Sequence, residues 1–155
     1  PDLIVIVGAT GGGAADQLRA ALDRAGAQLI VGRVRCRPGG SQVTALLPDG
    51  RVVLGLPGNP FAAVATLLTM VPSVVDALTG RTPAQPMLGS VVNAGEVAGD
   101  TVRILPAALQ PDGLWRADAG IRTAHLAGLI GRDALALIPA NADDDQLVEL
   151  LSLPR

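Results

Sequence analysis

Leu3-Ile4-Val5-Ile6-Val7 is an unbroken apolar run that enters directly into Gly8-Ala9-Thr10-Gly11-Gly12-Gly13. With no polar alternation, the run reads as a strand buried on both faces, the pattern of a parallel sheet covered by helices on either side. From Asp16 onward Leu18, Ala21, Leu22 and Ala25 recur at helical spacing, and Gly26 is placed to stop the helix. Strand, glycine loop and helix in succession give an α/β class. A second strand, Leu29 to Val34, leads into Arg35-Cys36-Arg37-Pro38-Gly39-Gly40. Val43 to Leu47, the turn Pro48-Asp49-Gly50 and Arg51 to Leu54 predict a hairpin. After the loop Gly55-Leu56-Pro57-Gly58-Asn59-Pro60, residues Phe61 to Leu78 predict a long helix, apolar nearly all round and so mostly buried, which Pro72 should kink or divide.

The pattern changes at Arg81-Thr82-Pro83-Ala84-Gln85-Pro86, where two prolines in four residues favour an extended linker. The expected organisation is a domain over residues 1–80, a linker over 81–86 and a second domain over 87–155. The second domain reads as short strands separated by turns: Leu88 to Val92, Thr101 to Leu105, Leu114 to Ala117, Ala134 to Ile138 and Leu147 to Leu151, with a helical stretch near Thr123 to Ile130. That pattern predicts a small β-barrel or sandwich.

Composition removes several function classes. Hydrophobic residues make up 49% and charged residues 17%, so the chain folds rather than remaining disordered. Twelve basic and 14 acidic residues without long blocks of either give no footprint for nucleic acid or an anionic membrane. All the basic residues are Arg, which excludes lysine Schiff-base chemistry within this chain. One Cys36 and one His125 cannot form an internal disulfide or a closed zinc site. The uninterrupted apolar runs fall short of the ~18 residues of a membrane span, and a reducing cytoplasm is the expected compartment. The chain opens at Pro1-Asp2 and is in a strand by Leu3, as if it were part of a longer protein.

Three loops can carry chemistry. Glycines at Gly11 and Gly12 let backbone N–H groups approach an anion at a helix start, although a tight strand-to-helix turn needs the same residues. In Pro57-Gly58-Asn59-Pro60, Asn59 suits an N-cap and Pro60 the first helical position, so the loop is either a well-capped helix or a second anion cradle. Loops at the carboxyl ends of parallel strands meet in one crevice, so two of them can grip one phosphorylated ligand. Arg37-Pro38-Gly39 would add a guanidinium. Asp16 either complements the helix dipole or holds a divalent metal against phosphate oxygens. Cys36, beside two arginines, would have a lowered pKa if exposed, though a small strand-end residue is the simpler role. His125 is expected to be a packed or surface residue, and Asp143-Asp144-Asp145 a solvated turn.

Taken in order, Thr10-Gly11-Gly12, Asp16, Arg37-Pro38-Gly39 and Gly55-Leu56-Pro57-Gly58-Asn59-Pro60 resemble the molybdopterin molybdenumtransferase family, which includes the E domain of gephyrin. Its members carry a Ser/Thr-Gly-Gly loop followed by an acidic residue, a Lys-Pro-Gly-Lys-Pro loop, and the Gly-Leu-Pro-Gly-Asn-Pro turn that is present here unchanged. The resemblance implies the rear half of a doubly wound, mostly parallel molybdopterin-binding domain, followed by a small C-terminal β-barrel. It implies insertion of molybdate into adenylylated molybdopterin with release of AMP, Mg²⁺ dependence and a homodimer. Thr10, Gly11, Gly12, Arg37, Pro38, Gly39, Pro57, Gly58, Asn59 and Pro60 would then bind substrate, and Asp16 would be the catalytic, metal-holding carboxylate.

The chain departs from that pattern at several places. The glycine loop is about three residues shorter, Arg37 replaces the first Lys, Gly40 the second and Ser41 the final Pro. Arg122-Thr123-Ala124 lines up with a family Gln-Gly-Ser segment. A catalytically silent molybdopterin-binding or scaffold module is the alternative that these departures leave open.

Overall fold

The computed structural model describes residues 1–8, 10, 13–121 and 124–153, and of residues 13–16 the backbone only. The chain divides into two compact units, one of Pro1–Val34 with Gly39–Pro83, the other of Arg35–Pro38 with Ala84–Arg155.

In chain order the first part of the sequence forms β1 (Leu3–Val7), α1 (Gly13–Arg24), β2 (Gln28–Val31), β3 (Cys36–Arg37), β4 (Val43–Leu46), β5 (Val52–Leu56) and α2 (Pro60–Thr79). All but β3 belong to the first unit, whose sheet has the order β1-β5-β4-β2. Only β1 and β5 are parallel; β5 with β4 and β4 with β2 are antiparallel. The sheet is open and mixed: β1 has the parallel partner its apolar run predicts, and the expected hairpin of β4 and β5 brings in antiparallel pairing. The hairpin turn explains it, because strands joined so tightly must run in opposite directions. Gly50, at φ +86°, donates its N–H to the Leu47 carbonyl at 2.9 Å, and the Asp49 carboxylate takes the Arg51 N–H and Nε.

Helices cover both faces. Successive strand residues point to opposite sides, so Val43, Ala45 and Val53 meet Leu18 and Leu22, which are four residues apart on one side of α1. On the other face Thr44, Leu46 and Val52 line an apolar groove with Met70, Val74 and Leu78 of α2. β1 is an edge strand and is not buried on both faces as expected, with Val7 63% exposed. One further expectation fails at α2: only Phe61, Ala62, Ala65 and Thr66 are buried, because its later turns rest on the groove rather than in a core. The helix continues through the exposed Pro72 and is not divided there. By length and composition alone α2 is apolar enough to cross a membrane, although its first turns are part of the core.

The second unit contains β6 (Met87–Val91), α3 (Ala94–Val97), β7 (Val102–Leu109), β8 (Trp115–Ala117), β9 (Ala134–Ile138) and β10 (Gln146–Ser152). Its strands follow the order β3-β7-β8-β6-β10-β9, and β9 pairs again with β7, closing a five-stranded barrel. Small residues fill its narrow interior: Ala107, Ala117, Ala134 and Ala136 are buried with Val91, Leu105, Ile138 and Leu150. The buried Asn93 amide exchanges two 3.0 Å hydrogen bonds with the backbone of Ala117, tying β8 to the segment after β6. Arg132 donates to the Asp118 carboxylate at 2.9 Å, and with the Gly120 N–H it holds that carboxyl below the usual range.

Arg35–Pro38 had read as a loop of the first domain, yet β3 pairs in parallel with β7, Cys36 opposite Val102 and Arg37 opposite Arg103, and so joins the barrel unit. The helical stretch expected near residues 123–130 is a single 3-10 turn at Leu126–Leu129, with Gly128 inside it and Gly131 at φ +69° just beyond. Thr123 lies outside the described residues.

Candidate functional site

The parallel register of β1 and β5 sets Val7 opposite Leu56, so the loops that follow leave the sheet side by side. The Gly8 N–H donates to the Leu56 carbonyl at 3.1 Å. A Cβ on Gly58 would lie 3.1 Å from the Cα of Gly8, so the two loops touch backbone to backbone, an approach that a side chain would block. Asn59 then caps α2, its side chain accepting the Ala62 N–H at 3.3 Å, with Pro60 in the first turn. No acidic residue occupies that turn, so nothing within the helix offsets the positive end of its dipole.

A third loop joins these two within the same unit. Residues 39–41 lie in a turn, closed by Val34 N–H to the Gly40 carbonyl and Gln42 N–H to the Gly39 carbonyl, both at 3.1 Å. Gly39, at φ +96°, lies against α2, where a Cβ would meet Thr66 Oγ1 at 2.7 Å. Thr10 is 1% exposed, its Oγ1 stands 3.3 Å from Ser41 Oγ, and its methyl sits over Gly55, where a Cβ would approach it to 3.1 Å.

Of the residues expected to bind substrate, Thr10, Gly39, Pro57, Gly58, Asn59 and Pro60 all lie in this cluster of loops. The Thr10 hydroxyl is turned inward onto Ser41, and Pro57 is buried. Gly11 and Gly12 lie outside the described residues, as does the side chain of Asp16, whose backbone is in the first turn of α1. Ser41 is the residue that motif reading passed over. Its only signal was a hydroxyl at the end of the Pro38-Gly39-Gly40 turn, 31 residues from its partner.

Arg37 and Pro38 line a different site, in the barrel unit: a cavity of about 570 Å³ whose wall also includes Asp100, Thr101, Arg103 and Ile121. The pairing of β3 with β7 sets Arg37 opposite Arg103, which directs one N–H to the Val97 carbonyl at 2.8 Å. The two guanidinium groups and the Thr101 hydroxyl are donors suited to a compact oxyanion, and the Asp100 carboxylate opposes them. Cys36 Sγ points to the Pro38 carbonyl at 3.4 Å, and burial pushes its thiol pKa up, the reverse of the lowered value an exposed thiol would have. His125 is exposed. Asp144 lies in the exposed turn expected before β10, and from there it accepts the Gly95 and Glu96 N–H groups at 2.8 and 3.3 Å. Among the described residues no three His, Cys, Asp or Glu side chains come together as a metal site.

Comparison with known proteins agrees with this layout. Residues 1–76 match the family model described as a probable molybdopterin binding domain. The chain is 31% identical over 144 residues to the molybdopterin molybdenumtransferase of Synechococcus elongatus, covering 91% of this chain and 35% of that protein. In fold it is similar to the molybdopterin biosynthesis MoeA protein of Pyrococcus horikoshii (TM-score 0.69, 20% identity, 97% of this chain and 37% of that one). It is similar as well to a molybdenum cofactor biosynthesis protein of Pyrococcus furiosus (TM-score 0.65, 13% identity, 97% and 68%). The chain spans about a third of the length of the curated relative, in an open mixed sheet followed by a closed barrel, and its likeness to the molybdopterin molybdenumtransferases is a partial match at the level of the family.

Proposed function

We propose that this chain binds molybdopterin, its phosphate held by backbone N–H groups of the loops after β1 and β5, and that it takes part in molybdenum insertion during cofactor biosynthesis. The observation that carries the reading is the backbone contact of Gly8 with Gly58 beside the Asn59-capped start of α2. A ligand phosphate there would meet the positive end of α2, approached over the backbones of Gly8 and Gly58. The cavity containing Arg37 and Arg103 is the part of the chain suited to molybdate, whose oxygens accept from guanidinium groups. Mg²⁺, when bound, would neutralise phosphate charge, and Asp16 is the residue the family pattern assigns to it. The described side chains form no magnesium site of their own. The same reading brings with it a cytoplasmic homodimer and transferase activity.

The catalytically silent module remains the second reading, favoured by Gly40 and Ser41 standing where relatives have Lys and Pro. Titration with molybdopterin tests the binding step common to both. Asn59→Leu is expected to weaken binding several-fold while costing about 1 kcal/mol of stability as a lost cap. Undiminished affinity in that variant would leave Asn59 a helix cap and nothing more. AMP release from adenylylated molybdopterin with molybdate and Mg²⁺ separates the two readings: the silent module binds and releases none.

A further inference from the structure

Thr10 and Ser41 are the side chains that join the glycine loop to the Pro-Gly-Gly turn, and their hydrogen-bonding capacity is unequal. Thr10 is 1% exposed and Ser41 half-buried. Two facing hydroxyls use one proton in their mutual bond, which leaves one proton to be placed elsewhere. Thr10 makes no other side-chain hydrogen bond among the described residues, and a buried hydroxyl has no water to turn to, so its proton belongs in the bond to Ser41. The Ser41 hydroxyl then accepts from Thr10 and keeps its own proton for the open side.

We infer that Ser41 is an anion-binding residue of the loop cluster, donating its hydroxyl to a phosphate oxygen of the ligand, and that Thr10 is a positioning residue that orients it. This rests on the proposed molybdopterin reading. Their separation of 3.3 Å is long for two hydroxyls, whose usual distance is about 2.7–2.8 Å. An oxyanion accepting from Ser41 makes the serine oxygen a better acceptor for Thr10, so ligand binding should draw the pair together. The glycine at position 55 is part of the arrangement, since any Cβ there would press on the Thr10 methyl and displace its hydroxyl.

The test is calorimetric titration of the 155-residue chain with molybdopterin and, separately, with inorganic phosphate. Ser41→Ala is expected to weaken both by about tenfold, the loss of one hydrogen bond to a charged acceptor, and Ser41→Thr to restore them. Thr10→Val should weaken both by a smaller factor and add nothing in the Ser41→Ala background, a coupling that two independent packing defects would not show. Wild-type affinity in Ser41→Ala, alongside weakened binding in Asn59→Leu, overturns the assignment and leaves the molybdopterin reading standing. Weakened molybdopterin binding with unchanged phosphate binding overturns the hydroxyl-to-phosphate contact. A wild-type chain that binds neither ligand overturns both this inference and the reading beneath it.

Discussion

Replacing Gly39 by alanine is expected to lower the stability of the α/β unit by about 2–4 kcal/mol, a large part of a typical total of about 5–15 kcal/mol. Two causes add. At φ +96° any L side chain is strained, at a cost of about 1–2 kcal/mol. The new Cβ would also stand 2.7 Å from Thr66 Oγ1, which is buried in α2 and cannot swing into solvent. Gly50→Ala separates the causes, because Gly50 has φ +86° with nothing within 4 Å of its Cβ position. Urea unfolding should place Gly39→Ala well below Gly50→Ala in midpoint, and equal midpoints would show that the turn yields without cost. Among the described residues Thr66 Oγ1 has no hydrogen-bond partner, so Thr66→Ala should recover part of the loss when combined with Gly39→Ala. The consequence extends to binding, since the same turn carries Ser41 to Thr10.

That turn also marks where reading the sequence succeeds and where it stops. Local chemistry announces the loops: Asn59 before Pro60 is a capped helix start, and the structure places the cap bond there. The barrel strand Ala134–Ile138 is found at the expected residues, because turn residues bound a run that alternation cannot disguise. What stayed hidden depends on contacts between residues far apart in the chain. Nothing local in Arg35-Cys36-Arg37 distinguishes a loop from a two-residue strand; pairing with Val102 and Arg103, more than sixty positions later, decides it. The same holds for the antiparallel pairing of β2 with β4, whose partners lie more than ten residues apart and are joined by no tight turn. It holds for Thr10, whose hydroxyl a motif would point at a ligand and whose long-range partner turns it inward. Motifs report which backbone can approach a ligand, while tertiary neighbours decide which side chain meets it.

Gly89→Ala should destabilise the barrel through space alone, without the backbone strain that adds to Gly39→Ala. Gly89 has no unusual φ, but an added Cβ would lie 2.5 Å from Leu150 Cδ1 and 2.6 Å from Trp115 Cδ1. Leu150 is core, 3% exposed, and Trp115 packs against the same cluster, so neither can withdraw without disturbing it. An overpacked site of this kind costs about 1–3 kcal/mol. Register explains the contact: Val91 of β6 faces Trp115 of β8, and the indole lies back along β6 by two residues, over the one strand position that has no side chain. Because Trp115 is the chain's only tryptophan, its fluorescence reports the substitution directly. Gly89→Ala is expected to shift the emission maximum and lower Tm together, while Trp115→Leu in the same background removes the indole contacts, though not that with Leu150, and should regain part of the stability. Unchanged emission and Tm in Gly89→Ala would mean that the indole does not rest on Gly89.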